Sequence, residues 1–132
     1  MKIALDTNAY SDYAEGLPTA VDALTTYGDR IYLPTTVVGE LHFGFLKGNR
    51  REFNEKMLRR FIDALQVELI DVTMDVARKY GIIYLSLIKK GKKIPINDVW
   101  IAACCMEVGG TLLTSDKHFM DVDQIDTILL PQ

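Results

Sequence analysis

The sequence predicts an α/β fold in three layers, with helices on both faces of a central, mostly parallel sheet of about five strands. Two observations favour this fold class. Short apolar runs alternate along the chain with longer segments of helical spacing, which is typical of strand–helix–strand units. The length of 132 residues suits one domain with a single core, which we expect to span residues 1–132.

The predicted strands are short and apolar, and turn residues or helix caps follow most of them. They are KIALD (2–6), IYLP (31–34), VELI (67–70), TLLT (111–114) and TILL (127–130). A polar turn is expected at Thr7-Asn8 after the first strand. Pro34 ends the second strand, because proline has no backbone N–H to donate to a sheet.

The segments between the strands have the spacing of helices. Helices are predicted over 17–27, from Thr35 or Thr36 to Gly48, over 50–65, from Thr73 to Lys90 and over 94–108. The segment 50–65 is amphipathic, since Phe53, Phe61 and Leu65 share one face with other apolar residues.

The last predicted helix begins within IPINDVWI (94–101), where Asn97 and Asp98 precede an apolar run. Asparagine is a favoured N-cap residue, and an aspartate in the first turn interacts well with the helix dipole. Capping therefore explains either residue alone. We predict that Asn97 is the cap and that Asp98 is free to act as a ligand.

Composition and cysteine usage exclude several classes of protein. No run approaches the roughly 18 consecutive apolar residues of a membrane-spanning helix. Asp6 interrupts the apolar N-terminal segment, so we expect no secretory signal and a cytoplasmic location. Cys104 and Cys105 are adjacent, and His42 and His118 are far apart in sequence, so a structural zinc site is not expected.

The net charge of −3 conceals a polarised chain, because twelve of the fifteen lysines and arginines lie between residues 47 and 93. The basic run ends with Lys89, Lys90, Lys92 and Lys93. Such a run is commonly a solvated helix face, but it can also hold the phosphates of a nucleic acid. Because the run closely precedes Asp98, we interpret these four lysines as RNA-binding.

Four acids fall at the ends of predicted elements. Asp6 closes the first strand, and Asp116 follows the fourth. Asp98 opens the helix before that fourth strand, and Glu40 lies on the helix after the second strand. Ligands of open parallel sheets bind at the carboxyl ends of the strands, near the point where the strand order reverses. The fold can therefore gather all four acids in one cleft.

Four carboxylates in one cleft repel each other and take up protons unless a cation neutralises them. Mg²⁺ and Mn²⁺ prefer oxygen ligands and are the expected cofactors. Such a site can activate water for the cleavage of a phosphodiester. Local structure can explain Asp6 as a turn residue and Asp116 as a cap. Glu40 is harder to explain in this way, because it interrupts an apolar helix face.

An ordered set of short motifs resembles the PIN-domain family, and more narrowly the VapC toxins of bacterial toxin–antitoxin pairs. The motifs are LDTN (5–8), PTTVVGEL (34–41), INDVWIAA (96–103) and LLTSDKHF (112–119), and the resemblance covers essentially the whole chain. It implies that the catalytic and metal-binding acids are Asp6, Glu40, Asp98 and Asp116. It also implies supporting roles for Thr7, Asn8 and Thr114.

The resemblance further implies an activity and partners. The expected activity is that of a Mg²⁺- or Mn²⁺-dependent endoribonuclease that cleaves tRNA or other structured RNA. The expected partners are a VapB-like antitoxin, promoter DNA bound only through the antitoxin complex, and a second copy of the chain in a homodimer. Some PIN domains have a further acid shortly after the last one. This chain has Lys117-His118 there, and Asp121 is the candidate for that role.

Two other kinds of enzyme have acidic Mg²⁺ sites above parallel sheets. Asp71 after VELI suits the phosphate acceptor of a receiver domain, but Asp6 has no acidic neighbour and no lysine follows TILL. A haloacid-dehalogenase-like phosphatase needs a second aspartate where Asn8 stands. The sequence therefore disfavours both enzymes.

A module that only binds a partner protein is the remaining alternative. Its surface would include some of four phenylalanines, which are Phe43, Phe45, Phe53 and Phe61. Packing in the core explains these residues equally well. A pure binding module would tolerate the loss of Asp98, whereas a nuclease would not.

Overall fold

One parallel sheet forms the centre of the protein. The computed structural model describes residues 1–131. The strands are β1 (Lys2–Leu5), β2 (Arg30–Pro34), β3 (Glu68–Ile70), β4 (Thr111–Thr114) and β5 (Asp126–Leu129). They lie in the order β3-β2-β1-β4-β5, and every neighbouring pair is parallel. Helices flank the sheet, so the predicted α/β class with a central parallel sheet is confirmed.

The strand order creates a switch point beside β1. The chain builds β1, β2 and β3 outward to one edge and then returns to add β4 and β5 on the other side of β1. Leu5 pairs with Leu113 in the register of β1 and β4, so Asp6 and Thr114 follow at the same level. The connections that leave β1 and β4 separate at this edge, which is where open parallel sheets bind ligands.

The helices are α1 (Thr7–Ala14), α2 (Pro18–Tyr27), α3 (Thr35–Lys47), α4 (Arg51–Ala64), α5 (Met74–Lys89) and α6 (Ile96–Val108). A short 3-10 helix, Lys117–Asp121, connects β4 to β5. The bounds of α2 to α5 agree closely with the predicted helices, and Gly81 does not interrupt α5. Among residues 1–131, no helix has the length and apolar content needed to cross a membrane.

The first helix differs from the prediction of a polar turn at Thr7-Asn8. Both residues lie in the first turn of α1, which Asp6 caps by accepting a hydrogen bond from the backbone N–H of Ala9 at 2.9 Å. An aspartate-capped helix start and a polar turn have similar local sequences. The helix has only eight residues, of which Ala9 and Tyr10 are buried, so it has too few apolar positions for a clear helical pattern.

Proline rather than a polar side chain precedes two of the helices. Pro95 is the N-cap of α6, and its carbonyl accepts a hydrogen bond from Asp98 N–H at 3.0 Å. Asn97 is therefore a first-turn residue, and the prediction that it caps the helix is wrong. Pro34 likewise precedes α3, and the Thr35 hydroxyl donates to the carbonyl of Ile70 instead of capping. The proposed cap of α5 is confirmed, since Thr73 Oγ1 accepts from Val76 N–H at 3.2 Å.

The centre of α6 is buried on nearly all sides. Its fully enclosed residues are Val99, Ile101, Ala102, Ala103, Cys104 and Cys105. Burial raises the pKa of Cys104 to about 11 and that of Cys105 to about 12, so both side chains are neutral thiols at physiological pH. Because the core holds α6 so firmly, the position of Asp98 in its first turn is fixed.

Candidate metal centre and active site

Asp6 lies at the carboxyl end of β1 and is only 4% exposed. Both of its carboxylate oxygens have partners. Oδ1 accepts from the backbone N–H of Ala9 at 2.9 Å, and Oδ2 accepts from the Thr114 hydroxyl at 2.5 Å. Burial raises the pKa of Asp6, while these two hydrogen bonds oppose the shift and the charges of Asp116 and Asp12 add to it. The carboxylate is thus held in one orientation by the backbone of α1 and by β4.

Thr114 connects two of the acids. Its fully buried hydroxyl donates to Asp6 Oδ2 and accepts from the backbone N–H of Asp116 at 2.9 Å. A hydroxyl has a single proton to donate and lone pairs left to accept, so this arrangement satisfies the group completely. The bonds tie the segment after β4 to the end of β1.

Glu40 approaches from α3. Its Oε1 accepts from the Thr7 hydroxyl at 2.8 Å, which joins the third helix to the first residue of α1. The contact is partly buried, so it orients the carboxylate without closing it off from solvent. The cleft at the end of β1 therefore explains why Glu40 interrupts the apolar face of α3.

Asp98, in the first turn of α6, has the most strongly shifted carboxyl of the cleft. Burial, followed by the charges of Asp116, Glu40 and Asp6, raises its pKa to about 6, and His118 opposes this shift. The charges of the other three acids therefore act on Asp98, while only Asp98 and Asp116 of the four belong, with His118, to a group whose ligand atoms all lie within 4.8 Å of one another. Within residues 1–131, no lysine or arginine forms an ion pair with any of the four.

Asp116 and His118 lie after β4, at the start of the 3-10 helix, and face Asp98. Asp116 caps the 3-10 helix by accepting from the backbone N–H of His118 at 2.9 Å, and its Oδ1 lies 3.1 Å from His118 Nδ1. One ligand atom each from Asp98, Asp116 and His118 lies within 4.8 Å of the others. His118 was not among the predicted site residues, because a single histidine without a nearby partner in sequence carries no metal signal. The only sequence feature that pointed to His118 was its position two residues after Asp116, which caps the 3-10 helix.

The donor set fits a divalent cation. Among the described residues, the carboxylates of the cleft have no ion pair with lysine or arginine, and the pKa values of Asp6 and Asp98 are raised. Oxygen-rich sites of this kind suit Mg²⁺ or Mn²⁺, and an imidazole can complete the coordination of a transition ion.

Two further residues named by the sequence, Asn8 and Asp121, form no side-chain hydrogen bond or ion pair with the four acids in the described part of the chain. Asn8 is exposed in the first turn of α1. Asp121 ends the 3-10 helix, and its backbone carbonyl accepts from Lys90 Nζ at 2.8 Å.

The four lysines before α6 are not equivalent. Lys90 Nζ also forms an ion pair with Asp123 at 2.9 Å, so it fastens the end of α5 to the segment before β5. Lys92 and Lys93 are exposed and line a cavity of about 290 Å³ together with Tyr84 and Val99. Val99 directly follows Asp98 in α6, so this largely apolar cavity reaches the first turns of the helix that carries Asp98.

The sequence model of the PIN domain family matches residues 3–125. The chain belongs to the PIN-domain family. Among curated relatives of this PIN domain, Ribonuclease VapC2 of Rickettsia felis is 30% identical over 103 residues, or 77% of this chain and 75% of the relative. Ribonuclease VapC5 of Mycobacterium tuberculosis is 26% identical over 95 residues, or 72% of this chain and 70% of the relative. The PIN domain is therefore of the VapC type, as the sequence motifs indicated.

Solved structures of toxin–antitoxin proteins have the same fold as this PIN domain. In a crystal structure of VapBC2 from Rickettsia felis bound to a promoter DNA fragment, one chain superposes with a TM-score of 0.87 at 25% identity. That superposition covers 99% of this chain and 100% of the other. A chain of DNA-bound VapBC from Salmonella typhimurium superposes with a TM-score of 0.84 at 24% identity, covering 97% of both chains, and this likeness concerns the fold alone.

Replacement of Asp98 by asparagine is expected to stabilise the metal-free PIN domain at neutral pH. The folded carboxyl has its pKa raised to about 6 from 3.8, so the folded state binds the proton more tightly than the unfolded state. Protonation of Asp98 stabilises the folded state fully below pH 3.8, and this stabilisation is lost as the pH rises through about 6. After allowance for solvent screening, we expect Asp98→Asn to gain on the order of 1 kcal/mol at neutral pH.

Urea unfolding in EDTA across this pH window measures the effect. The gain in stability should disappear as the pH falls towards 3.8 and below, because folded Asp98 is then protonated and, like the asparagine of the variant, uncharged. Asp22→Asn on the exposed surface of α2 is the control, and it should change stability little at any pH. A neutral-pH loss of stability in Asp98→Asn would contradict the repulsion inferred for the cleft.

Proposed function

We propose that this PIN domain is a divalent-metal-dependent endoribonuclease, the toxin of a VapC-type toxin–antitoxin pair, and that it hydrolyses a phosphodiester of tRNA or another structured RNA. The observation that carries the proposal is the convergence of Asp6, Glu40, Asp98 and Asp116 without a neutralising lysine or arginine among the described residues. Two curated relatives that are named ribonucleases support the reaction class.

The four acids would hold one or two divalent ions, Mg²⁺ or Mn²⁺. A divalent ion held in this way supplies a more acidic water and neutralises the negative charge that develops on the phosphate. Thr114 keeps Asp6 in place, and Thr7 keeps Glu40 in place, through hydrogen bonds of 2.5 Å and 2.8 Å. The carboxylates are therefore oriented before substrate binds, which lowers the cost of reorganisation during the reaction.

The cleavage of a total tRNA pool tests the proposal. Antitoxin-free protein is expected to yield discrete fragments with Mg²⁺ or Mn²⁺ and none with EDTA. Asp98→Asn should reduce the rate roughly 100-fold or more, because removal of one preorganised group at a reaction centre typically costs about 10²–10³. Asp22→Asn serves again as the control and should cut at the rate of the wild type.

Gel analysis of the fragments distinguishes the functions. Cleavage that persists in Asp98→Asn, or in EDTA, would contradict a metal nuclease. Absence of cleavage by well-folded wild type, on tRNA and on other structured RNA, would favour the alternative of a module that binds its partner with little or no catalytic activity.

The exposed lysines that precede α6 are proposed to hold RNA phosphates. Lys92 and Lys93 are exposed and line a cavity that reaches Val99 of α6, Lys89 ends α5, and Lys90 has a structural ion pair with Asp123. The Lys92→Glu/Lys93→Glu double variant is expected to weaken RNA binding. It should also reduce the slope of log K against log salt concentration by about 2, because each lysine would otherwise neutralise one phosphate.

Titrations of RNA at several salt concentrations provide the measurement, with protein in which Asp98→Asn prevents cleavage. The matched control is Lys56→Glu/Arg59→Glu on α4, which changes the net charge equally on another exposed helix. If the two double variants weaken binding to the same degree, Lys92 and Lys93 have no special role in RNA binding.

Exposed apolar side chains on α3 and α4 support a protein partner. Phe43 is 64% exposed, Leu46 is 60% exposed and Phe53 is 50% exposed, whereas Phe61 is buried and Phe45 is partly buried. Apolar patches of this kind commonly mark protein interfaces. We propose a VapB-like antitoxin and a second copy of the chain as partners, with promoter DNA bound only through the antitoxin. Similar solved chains come from VapBC complexes, one of them on promoter DNA.

Light scattering on antitoxin-free protein tests the homodimer. We expect a mass of twice the 14.9 kDa of one chain. The wild type and the Phe43→Ser variant should be compared over a range of concentrations, because a weak dimer dissociates on dilution. A monomeric mass for the wild type at every concentration would contradict a homodimer.

A further inference from the structure

His118 places a nitrogen donor in a cleft that otherwise offers carboxylates. It contributes one of the three ligand atoms that lie within 4.8 Å of one another, and the other two belong to Asp98 and Asp116. The four acids alone would form an all-oxygen site. The imidazole therefore changes the chemistry of the donor set, which the positions of the acids in the sequence did not reveal.

The fold holds the imidazole in this position through its backbone. The N–H of His118 donates to Asp116 Oδ1, which caps the 3-10 helix. The next residue, Phe119, is only 1% exposed and anchors that helix in the core. The backbone of His118 is therefore held between a capping hydrogen bond and a buried anchor, so the fold fixes the point from which its side chain reaches Asp116.

An ion pair with Asp116 is the simpler explanation of this position. The Nδ1–Oδ1 separation of 3.1 Å allows it when the imidazole is protonated. One positive charge cannot balance four carboxylates, however, and the His118 side chain remains 55% exposed. A neutral imidazole would instead offer a ring nitrogen to an ion bound by Asp98 and Asp116, and that ion would supply the balancing positive charge.

We propose that His118 is a nitrogen ligand of the divalent ion, beside Asp98 and Asp116, and that it makes the site select Mn²⁺ over Mg²⁺. The inference rests on the proposed metal-dependent function and deepens it. Mg²⁺ favours oxygen ligands in a strict octahedral arrangement, whereas transition ions accept imidazole readily. A site with one imidazole and several carboxylates is accordingly better suited to a transition ion than to Mg²⁺.

Pulsed electron paramagnetic resonance of the Mn²⁺-loaded protein detects nitrogen ligation directly, without RNA or turnover. We expect modulation from a coordinated ¹⁴N nucleus in the wild type and its loss in His118→Ala. His42→Gln is the matched control, because His42 is the second histidine of the chain and pairs with Glu55 between α3 and α4. Its spectrum should be the same as that of the wild type.

Competition between Mn²⁺ and Mg²⁺, followed by the signal of free Mn²⁺, measures selectivity. His118→Asp restores a donor but makes it oxygen, so this variant should bind an ion while losing preference for Mn²⁺. We expect the ratio of Mn²⁺ to Mg²⁺ affinity to fall by at least about tenfold, since even partners outside the ligand set change metal affinity by 10–100-fold.

The outcomes separate this inference from the proposed function. Mn²⁺ binding that Asp98→Asn abolishes, without nitrogen modulation in the wild type, would overturn the role of His118 and leave the metal nuclease standing. Nitrogen modulation that survives His118→Ala would overturn it as well. An absence of Mn²⁺ binding by folded wild type would overturn both proposals.

Discussion

The hydrogen bond from the Thr114 hydroxyl to Asp6 Oδ2 is the contact on which the site depends. It is 2.5 Å long, fully buried, and joins the ends of β1 and β4, the two strands between which the chain order reverses. The same hydroxyl accepts from Asp116 N–H, so the position of the 3-10 helix follows from it. Asp6 in turn caps α1, and Thr7, the first residue of α1, donates a hydrogen bond to Glu40 of α3. The buried Thr114 is therefore connected through Asp6 to both α1 and α3.

The electrostatic cost of the cleft explains why its surroundings are so rigid. Carboxylates forced together raise one another's pKa and destabilise the folded state unless a cation is bound. Carboxylates stay close together only when the surrounding structure holds them there. For Asp98, the buried apolar residues of α6 hold the helix in place. A cluster of acids without a lysine or arginine partner among the described residues, on a firmly held scaffold, is easier to explain as a cation-binding site than as a by-product of packing. This favours the nuclease over a purely protein-binding module.

Much of the fold was predictable because its signals are local. Buried parallel strands are continuous apolar runs, and α4 has an apolar face of helical spacing, so their existence follows from a few neighbouring residues. The two wrong predictions, at the starts of α1 and α6, also arise from short stretches of sequence. The short helix α1 resembles a turn at its start, and at α6 the fixed backbone of Pro95, rather than the favourable chemistry of Asn97, decides where the helix begins. Asp71, which suited a receiver domain, follows the edge strand β3, with β2 between it and β1.

The sequence by itself determined the α/β class and indicated Asp6, Glu40, Asp98 and Asp116, because apolar periodicity, and acids that follow a strand, open a helix or interrupt an apolar helix face, are properties of short segments. Only the tertiary structure decided how the acids are held and which further donor joins them. Thr114 and Asp6 are separated by 108 positions, yet they are hydrogen-bonded because β1 and β4 are neighbours in the sheet. His118 faces Asp98 for the same reason: strand order and the cap of a 3-10 helix set that contact, and neither distance along the chain nor residue type encodes it.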